Sequence, residues 1–223
     1  QVIDVIAKGL MKDPLRDGRP EAPNRPVLIN FHNSRDIVVE GITLKNSSSW
    51  VEVYDHCQNL KIDGIHVDSK AYWNNDGIDI VDCEDVTVTN SFIDADDDGI
   101  CLKSFDPAHT SRNILVRDCI IRSSANGIKF GTASHGVFTD IRFLHNTVYD
   151  TYRSAVALEA NDGGTISHIT VVSLEALHTG NLIFLRVEER VPGKIGHLEH
   201  IRFSHLKATI PASKPDAGYP YEG

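Results

Sequence analysis

Along most of this chain, aliphatic and polar residues alternate in short runs, and the runs repeat. RDIVVEGITL, QNLKIDGIHV, EDVTVTNSFI, RNILVRDCII, TDIRFLHNTV, SHITVVSLEA and EHIRFSHLKA share one plan. The whole unit is a polar residue, alternating aliphatics, a turn, and a second short aliphatic stretch, and these segments are its first half. The leading aliphatics are Ile37, Leu60, Val86, Ile114, Ile141, Ile169 and Ile201, a period of roughly 23 to 32 residues. The second half of the unit, a second phrase, appears as Gly77-Ile-Asp-Ile80, Gly99-Ile-Cys-Leu102, Gly127-Ile-Lys-Phe130 and Ala155-Val-Ala-Leu158.

Alternation with a period of two, rich in Val, Ile and Thr, predicts β-strands. The turns between them are too short for crossover helices. One strand–turn–strand unit cannot close a core alone, whereas stacked units bury a continuous apolar column. The expected fold is all-β, a right-handed parallel β-helix with one repeat per coil. An antiparallel sandwich accounts for the strands but not for the fixed register of the repeat.

Residues 26–210 are read as the β-helix domain. Residues 1–25 read as an irregular segment or partial coil, since four of the nine prolines fall at or before Pro26. Residues 211–223, with PASKPDAGYPYEG, read as an irregular tail. Neither end reads as the cap that a solenoid core needs, so the expectation is that coils are missing at the N-terminus.

At 223 residues the chain is long enough for one well-buried domain. Its net charge of −9 argues against nucleic acid as a partner, which calls for a basic face. No apolar run reaches the length of a membrane span, and the opening residues lack the pattern of a secretory leader. Cys57, Cys83, Cys101 and Cys119 show no metal-ligand spacing and read as buried free thiols.

The densest chemistry lies in IDADDDGICLKS, residues 93–104. Asp94, Asp96, Asp98 and Gly99 imitate the start of an EF-hand loop, but Phe105 stands where the bidentate Glu belongs and the flanks read as strands. The repeat register offers a better account. Aligned on the second phrase, Asp76, Asp98, Asn126 and Ser154 occupy one position on successive coils, where stacking brings neighbours roughly 4.8 Å apart. Asp97 sits on the same turn as Asp98. Carboxylates gathered in this way repel one another, and at least one should hold its proton above the ordinary range. An acid beside a carboxylate is what glycoside hydrolysis requires. Asp82, Asp85, Asp94, Asp96 and Asp118 are read instead as turn formers.

With Ile78, Ile80, Ile100 and Leu102 facing inward, Asp79, Lys103, Lys129 and Glu159 face outward beside the cluster. They read either as surface ion pairs between coils or as a row that meets a substrate carboxylate through Lys103 and Lys129, joined by Arg153.

These residues resemble the glycoside hydrolases of family 28, the polygalacturonase-like pectinases. The similarity runs through NRPVLINF (24–31) and GITLKNSSSW (41–50), peaks at NNDGIDI and DADDDGICLKS, and covers most of residues 24–160. The family's Asn-Thr-Asp motif is matched by Asn74-Asn75-Asp76 and its Asp-Asp pair by Asp97-Asp98. The resemblance implies a pectin-lyase-like solenoid and hydrolysis of α-glycosidic bonds in a polysaccharide or oligosaccharide. It further implies inversion, no metal or other cofactor, and an extracellular or periplasmic location. Asp97 would be the general acid, with Asp76 and Asp98 activating water. Inversion asks for carboxyl groups about 6.5–9.5 Å apart, which the one-residue offset of Asp97 accommodates.

Two family motifs are altered. Gly-His-Gly falls on Ala125-Asn126-Gly127, and Asn126 can hydrogen-bond a carboxylate but cannot titrate near neutrality. His135 is a stand-in by residue type, but its register is wrong and it reads as a histidine on a surface loop. Arg-Ile-Lys, the family's galacturonate clamp, falls on Ala157-Leu158-Glu159. Either Lys129 and Arg153 replace the lost cations, or the substrate is a rhamnogalacturonan or a neutral glycoside. A β-helix polysaccharide lyase using Ca²⁺ or a basic residue is one alternative. The other is a carbohydrate-binding solenoid presenting Trp50, Trp73, Tyr72, Tyr149 and Tyr152.

Overall fold

The computed structural model describes residues 2–4 and 25–212. Three parallel sheets make up the fold, one of eight strands and two of seven. Strands hydrogen-bonded to each other lie three apart in chain order, so each coil contributes one strand to every sheet. This is a right-handed parallel β-helix, the hand expected of parallel crossovers. Among the described residues no antiparallel sandwich forms: every strand pairing is parallel, and the single antiparallel contact is the isolated bridge Val191–Lys194. Val2–Asp4 pairs with Thr43–Lys45 at one sheet edge. The rest of the expected N-terminal segment, residues 5–24, and tail residues 213–223 lie outside the described residues.

The repeat has three strands per coil rather than the two read from its sequence. What looked like one strand and its turn, such as RDIVVEGITL, is two strands in different sheets, Arg35–Glu40 and Thr43–Lys45. The chain bends between them at a left-handed residue. Successive coils place Gly41, Gly64, Asn90, Asp118, His145, Ser173 and His205 there, all with φ between 52° and 62°. Glycine meets this conformation without cost, and Asn and Asp tolerate it better than other side chains. Asp82 and Asp118 stand at bends between strands with positive φ, as expected of turn formers, while Asp85 takes the same left-handed conformation inside the strand Glu84–Thr89. Asp94 departs from that reading: it belongs to the strand Phe92–Ala95, where it pairs with Lys70 and Arg122, whereas Asp96 stands in the bend that follows and is fully buried.

Stacking fills the interior with aliphatic columns. Val67, Ile93, Ile121 and Val148 are in direct register across four coils and are wholly buried. Ile78, Ile100 and Ile128 form another column under the site described next. Each such side chain stabilises the folded state by about 1.5–3 kcal/mol relative to exposure. The four cysteines are buried and unbridged. Among the described residues, no helix is long and apolar enough to cross a membrane.

Candidate active site

The DGI turns enter the sheet that contains Glu52–Asp55, Ile78–Val81, Ile100–Ser104, Ile128–Ser134 and Ser154–Ala160. Their register is as the sequence predicts. The Gly77 N–H donates to the Asp98 carbonyl at 2.9 Å, Gly99 N–H to Asn126 at 2.8 Å, and Gly127 N–H to Ser154 at 2.9 Å. Glycine is required here by close approach. A Cβ on Gly99 would lie 2.4 Å from Ile121 Cγ2 and 2.6 Å from the Gly127 carbonyl oxygen. The packing that brings one aspartate over the next therefore leaves no room for a side chain at the following residue.

A cleft of about 260 Å³ opens over these turns. Asp76, Asp97, Asp98, Lys103, Lys129 and Arg153 all contribute to its walls, with Trp50, Asn74, Gly131, Thr132 and Ala133. Six of the eight residues singled out from the sequence are thus brought to one cleft. The other two stand behind it. Asn126 is fully buried and supports Asp98 from below, donating from Nδ2 at 2.9 Å and from its backbone N–H at 3.1 Å to Asp98 Oδ1. Glu159 is 1% exposed, with Oε1 2.6 Å from Lys129 Nζ, while Oε2 accepts from Asn161 Nδ2.

The outward row is buried, which corrects the picture of surface ion pairs. Lys103 Nζ lies 2.6 Å from Asp76 Oδ2, 2.5 Å from Asp79 Oδ1 and 2.8 Å from Cys101 Sγ. It also rests 4.7 Å from the centre of the Trp50 ring. Buried pairs of this kind are costly to desolvate and costly to break. Burial and the neighbouring Asp79 raise the Asp76 carboxyl well above its usual range, against the opposing pull of Lys103. Asp79 rises to about 6, chiefly through burial. Two carboxylates facing one ammonium in a dry setting retain a proton between them, as expected of the cluster. Asp98 behaves in the opposite way. Burial alone would raise it, but Lys129, Lys103 and the Asn126 hydrogen bonds outweigh that and bring it below the ordinary value. Two stacked aspartates thus have opposite proton affinities.

Asp97 is held separately. Its Oδ2 accepts from Asn74 Nδ2 at 3.1 Å, and its backbone carbonyl accepts from the Ser123 hydroxyl at 2.5 Å. Asn75, the middle residue of the motif, is buried and bonded to Ser69 and Ser49, so it shapes the turn.

His135 does not reach the aspartates. Its Nε2 lies 3.7 Å from Asp162, and Arg190 also contacts that carboxylate. The histidine position of the family motif is served by Asn126 alone. Cys101 and Trp50 were missed as site residues. Strand alternation places Cys101 in one column with Asp79 and Lys129, a signal already present in the repeat. In the sequence Trp50 reads as a sugar-stacking aromatic, open to a binding solenoid and to an enzyme alike. Trp73 is tied through its carbonyl to Arg25 and does not line the cleft.

Oxygens of Asp76 and Asp98 and the Cys101 sulfur lie within 4.8 Å of one another, close enough to share an ion. The ammonium groups of Lys103 and Lys129 already face those carboxylates, however, and a hard cation such as Ca²⁺ prefers all-oxygen ligands.

The sequence model of the glycosyl hydrolases of family 28 matches residues 16–119. Among curated relatives, exopolygalacturonase B of Aspergillus niger is 30% identical over 176 residues, 72% of this chain and 39% of the relative. A probable exopolygalacturonase B of Aspergillus flavus is 26% identical over 170 residues, 70% of this chain and 38% of the relative. The chain spans about two-fifths of the length of these curated relatives. A hyperthermoactive exopolygalacturonase from Thermotoga maritima superposes with a TM-score of 0.71 at 26% identity, covering 82% of this chain and 44% of that one. The polygalacturonase of Erwinia carotovora also gives 0.71, at 11% identity over 86% of this chain and 58% of its own, a likeness of fold alone.

Proposed function

This chain belongs to the glycosyl hydrolases of family 28, and from that premise we propose that it hydrolyses α-glycosidic bonds in a pectin-type polysaccharide. The observation that carries the proposal is the divided chemistry of the cleft: Asp98 is kept ionised by Lys129 and Asn126, Asp76 is pushed toward its protonated form, and Asp97 stands apart on Asn74.

In this reading Asp97 protonates the departing glycosidic oxygen. Asp98 accepts a proton from the attacking water, which Asp76 helps to hold. The water attacks the anomeric carbon from the face opposite the leaving oxygen, the C–O bond breaks, and the configuration inverts. Asp76 and Asp98 have oxygens within 4.8 Å, near enough for one water to bridge them.

Substrate choice follows from the charges. Glu159 is neutralised by Lys129 at 2.6 Å, so the reversed charge in the old clamp motif does not present itself to a sugar. Arg153 is the most exposed of the three cleft cations, since Lys103 and Lys129 are buried. A uronate carboxylate entering the cleft meets Arg153 first, which favours a galacturonide over a neutral glycoside. Such a polymer places the enzyme outside the cytoplasm. The β-helix of residues 26–210 then acts as one catalytic domain.

The test is product analysis with EDTA present, on polygalacturonate, rhamnogalacturonan and neutral α-glycosides. New reducing ends without ultraviolet absorbance are expected, greatest on polygalacturonate. Absorbing unsaturated ends would identify a lyase. Release from neutral glycosides alone would remove Arg153 from substrate choice.

A further inference from the structure

The same sheet has a second cluster at the other end of its strands, unrelated to the glycosidic chemistry. His56 follows the strand Glu52–Asp55, Asp82 follows Ile78–Val81, and Asp106 and His109 lie in the loop after Ile100–Ser104. Three consecutive coils thus bring imidazoles and carboxylates to one corner. We propose that this corner binds a divalent transition-metal ion such as Zn²⁺, held by His56 Nε2, His109 and Asp106.

Distances decide between this and ordinary ion pairing. His56 Nδ1 lies 2.6 Å from Asp55 Oδ1, a short hydrogen bond that places the ring proton on Nδ1. In the neutral ring the lone pair is then on Nε2, which lies 3.6 Å from Asp106 Oδ2. That gap is too long for a hydrogen bond. It is close to the edge of a ligand tetrahedron around zinc, roughly 3.4 Å for bonds near 2.0–2.1 Å. Ligand atoms of His56, Asp106 and His109 all lie within 4.8 Å of one another. His109 Nε2 is buried and has no hydrogen-bond partner, a cost that a metal bond would remove.

The surroundings are built to hold this arrangement. Asp55 is the carboxylate behind a metal-ligating imidazole, the usual device for fixing tautomer and ring orientation. Its second oxygen is 2.8 Å from His32 Nδ1. Asp82 is fully buried, and its Oδ2 accepts from the backbone N–H groups of Phe105 and Asp106, which pins the ligand-bearing loop. Its Oδ1 is buried without a partner, and its carboxylate falls within 4.8 Å of ligand atoms of Asp55 and His56. Asp106 Oδ1 is taken by the Ala108 N–H at 2.9 Å, leaving Oδ2 to face His56. A hollow of about 320 Å³ beside His56 and His109 leaves space for water to complete the coordination. Two imidazoles and carboxylates favour Zn²⁺, Co²⁺ or Ni²⁺ over Ca²⁺ or Mg²⁺.

The experiment is Zn²⁺ titration of EDTA-stripped, dialysed protein by calorimetry, with Co²⁺ visible absorption as the second readout. His56→Gln, His109→Gln and, as a control in the glycosidic cleft, Asp98→Asn are compared, each checked for folding by circular dichroism. One Zn²⁺ per chain at micromolar Kd or tighter is expected, weakened at least tenfold in each folded histidine variant and unchanged in Asp98→Asn. If a histidine variant fails to fold, the Co²⁺ spectrum of the parent protein decides: imidazole-ligated, four-coordinate absorption supports the site. Binding weaker than millimolar, or binding lost in Asp98→Asn but kept in His56→Gln, overturns the proposal. His56 is then an imidazolium bridging two carboxylates.

Discussion

Lys103 Nζ sits between two carboxylates of the preceding coil, 2.6 Å from Asp76 and 2.5 Å from Asp79, in a position 8% exposed to solvent. One ammonium thus holds two acids in place at the floor of the cleft. This explains how a chain with Asp76, Asp79, Asp97, Asp98 and Glu159 so close together can fold at neutral pH. Lys103 and Lys129 divide that negative charge, and Asp76 and Asp79 retain a proton between them.

Removing this ammonium should therefore damage stability and activity together. Lys103→Met keeps the length of the side chain but leaves Asp76 and Asp79 facing each other without a counter-charge. A loss of about 3–5 kcal/mol is expected, as for other broken buried pairs, measured as the midpoint of urea unfolding. Asp79→Asn in the same background should recover part of it by removing one of the two acids. Unchanged stability in Lys103→Met would show that the pair is not closed in solution.

Asp97→Asn is expected to lose activity by about 10²–10⁴-fold, the usual scale for a positioned general acid. Because Asn74 still has a side-chain partner there, binding should survive. Turnover on polygalacturonate and calorimetric binding of an oligogalacturonide read the two effects separately. Equal turnover in the variant would remove Asp97 as the acid.

For Arg153→Ala, the change should appear in KM and depend on substrate charge. A roughly tenfold rise on galacturonide polymer is expected, the scale of a lost charge-assisted hydrogen bond. Neutral substrates should show no change. A purely structural role would instead lower turnover on every substrate alike.

Stability should fall as pH rises through neutrality, because of Glu52. Both its carboxylate oxygens are buried without hydrogen-bond partners, and burial raises it from 4.5 to about 8. The folded chain therefore holds a proton that the unfolded chain has released above pH 4.5. Stability from this group is complete below pH 4.5 and is lost as pH approaches 8, by about 4 kcal/mol at pH 8. Glu52→Gln should flatten that dependence in urea melts taken from pH 5 to 9. An equally steep slope in the variant would assign it to other groups.

Much of the site was legible because the repeat transmits register. Knowing that Gly77 and Gly99 are equivalent was enough to stack Asp76 on Asp98, and the ladder of backbone hydrogen bonds has that spacing. The Asn126 substitution was also visible, including its ability to bond Asp98. Burial was not legible. Alternation places Lys103, Lys129, Asp79 and Glu159 on the outer face of their strands, yet all four are nearly inaccessible. Alternation distinguishes the two sides of a sheet and cannot tell what covers the outer one. For the same reason Glu159 read as an outward-facing residue beside the cluster, when it is the buried partner of Lys129. The extra strand in each coil was missed because its boundary is a single left-handed residue, such as Asn90 or His145, inside an otherwise continuous aliphatic pattern.

The amino-acid sequence by itself determined the parallel β-helix, its register and the meeting of Asp76, Asp97 and Asp98, because each follows from a local pattern repeated along the chain. Only the tertiary structure decided which of those acids keeps its proton, which cations remain accessible, and that His56, Asp106 and His109 share a corner. Those outcomes depend on desolvation and on distances between side chains far apart in the chain. Both are set by how neighbouring coils cover one another, and no single repeat contains that information.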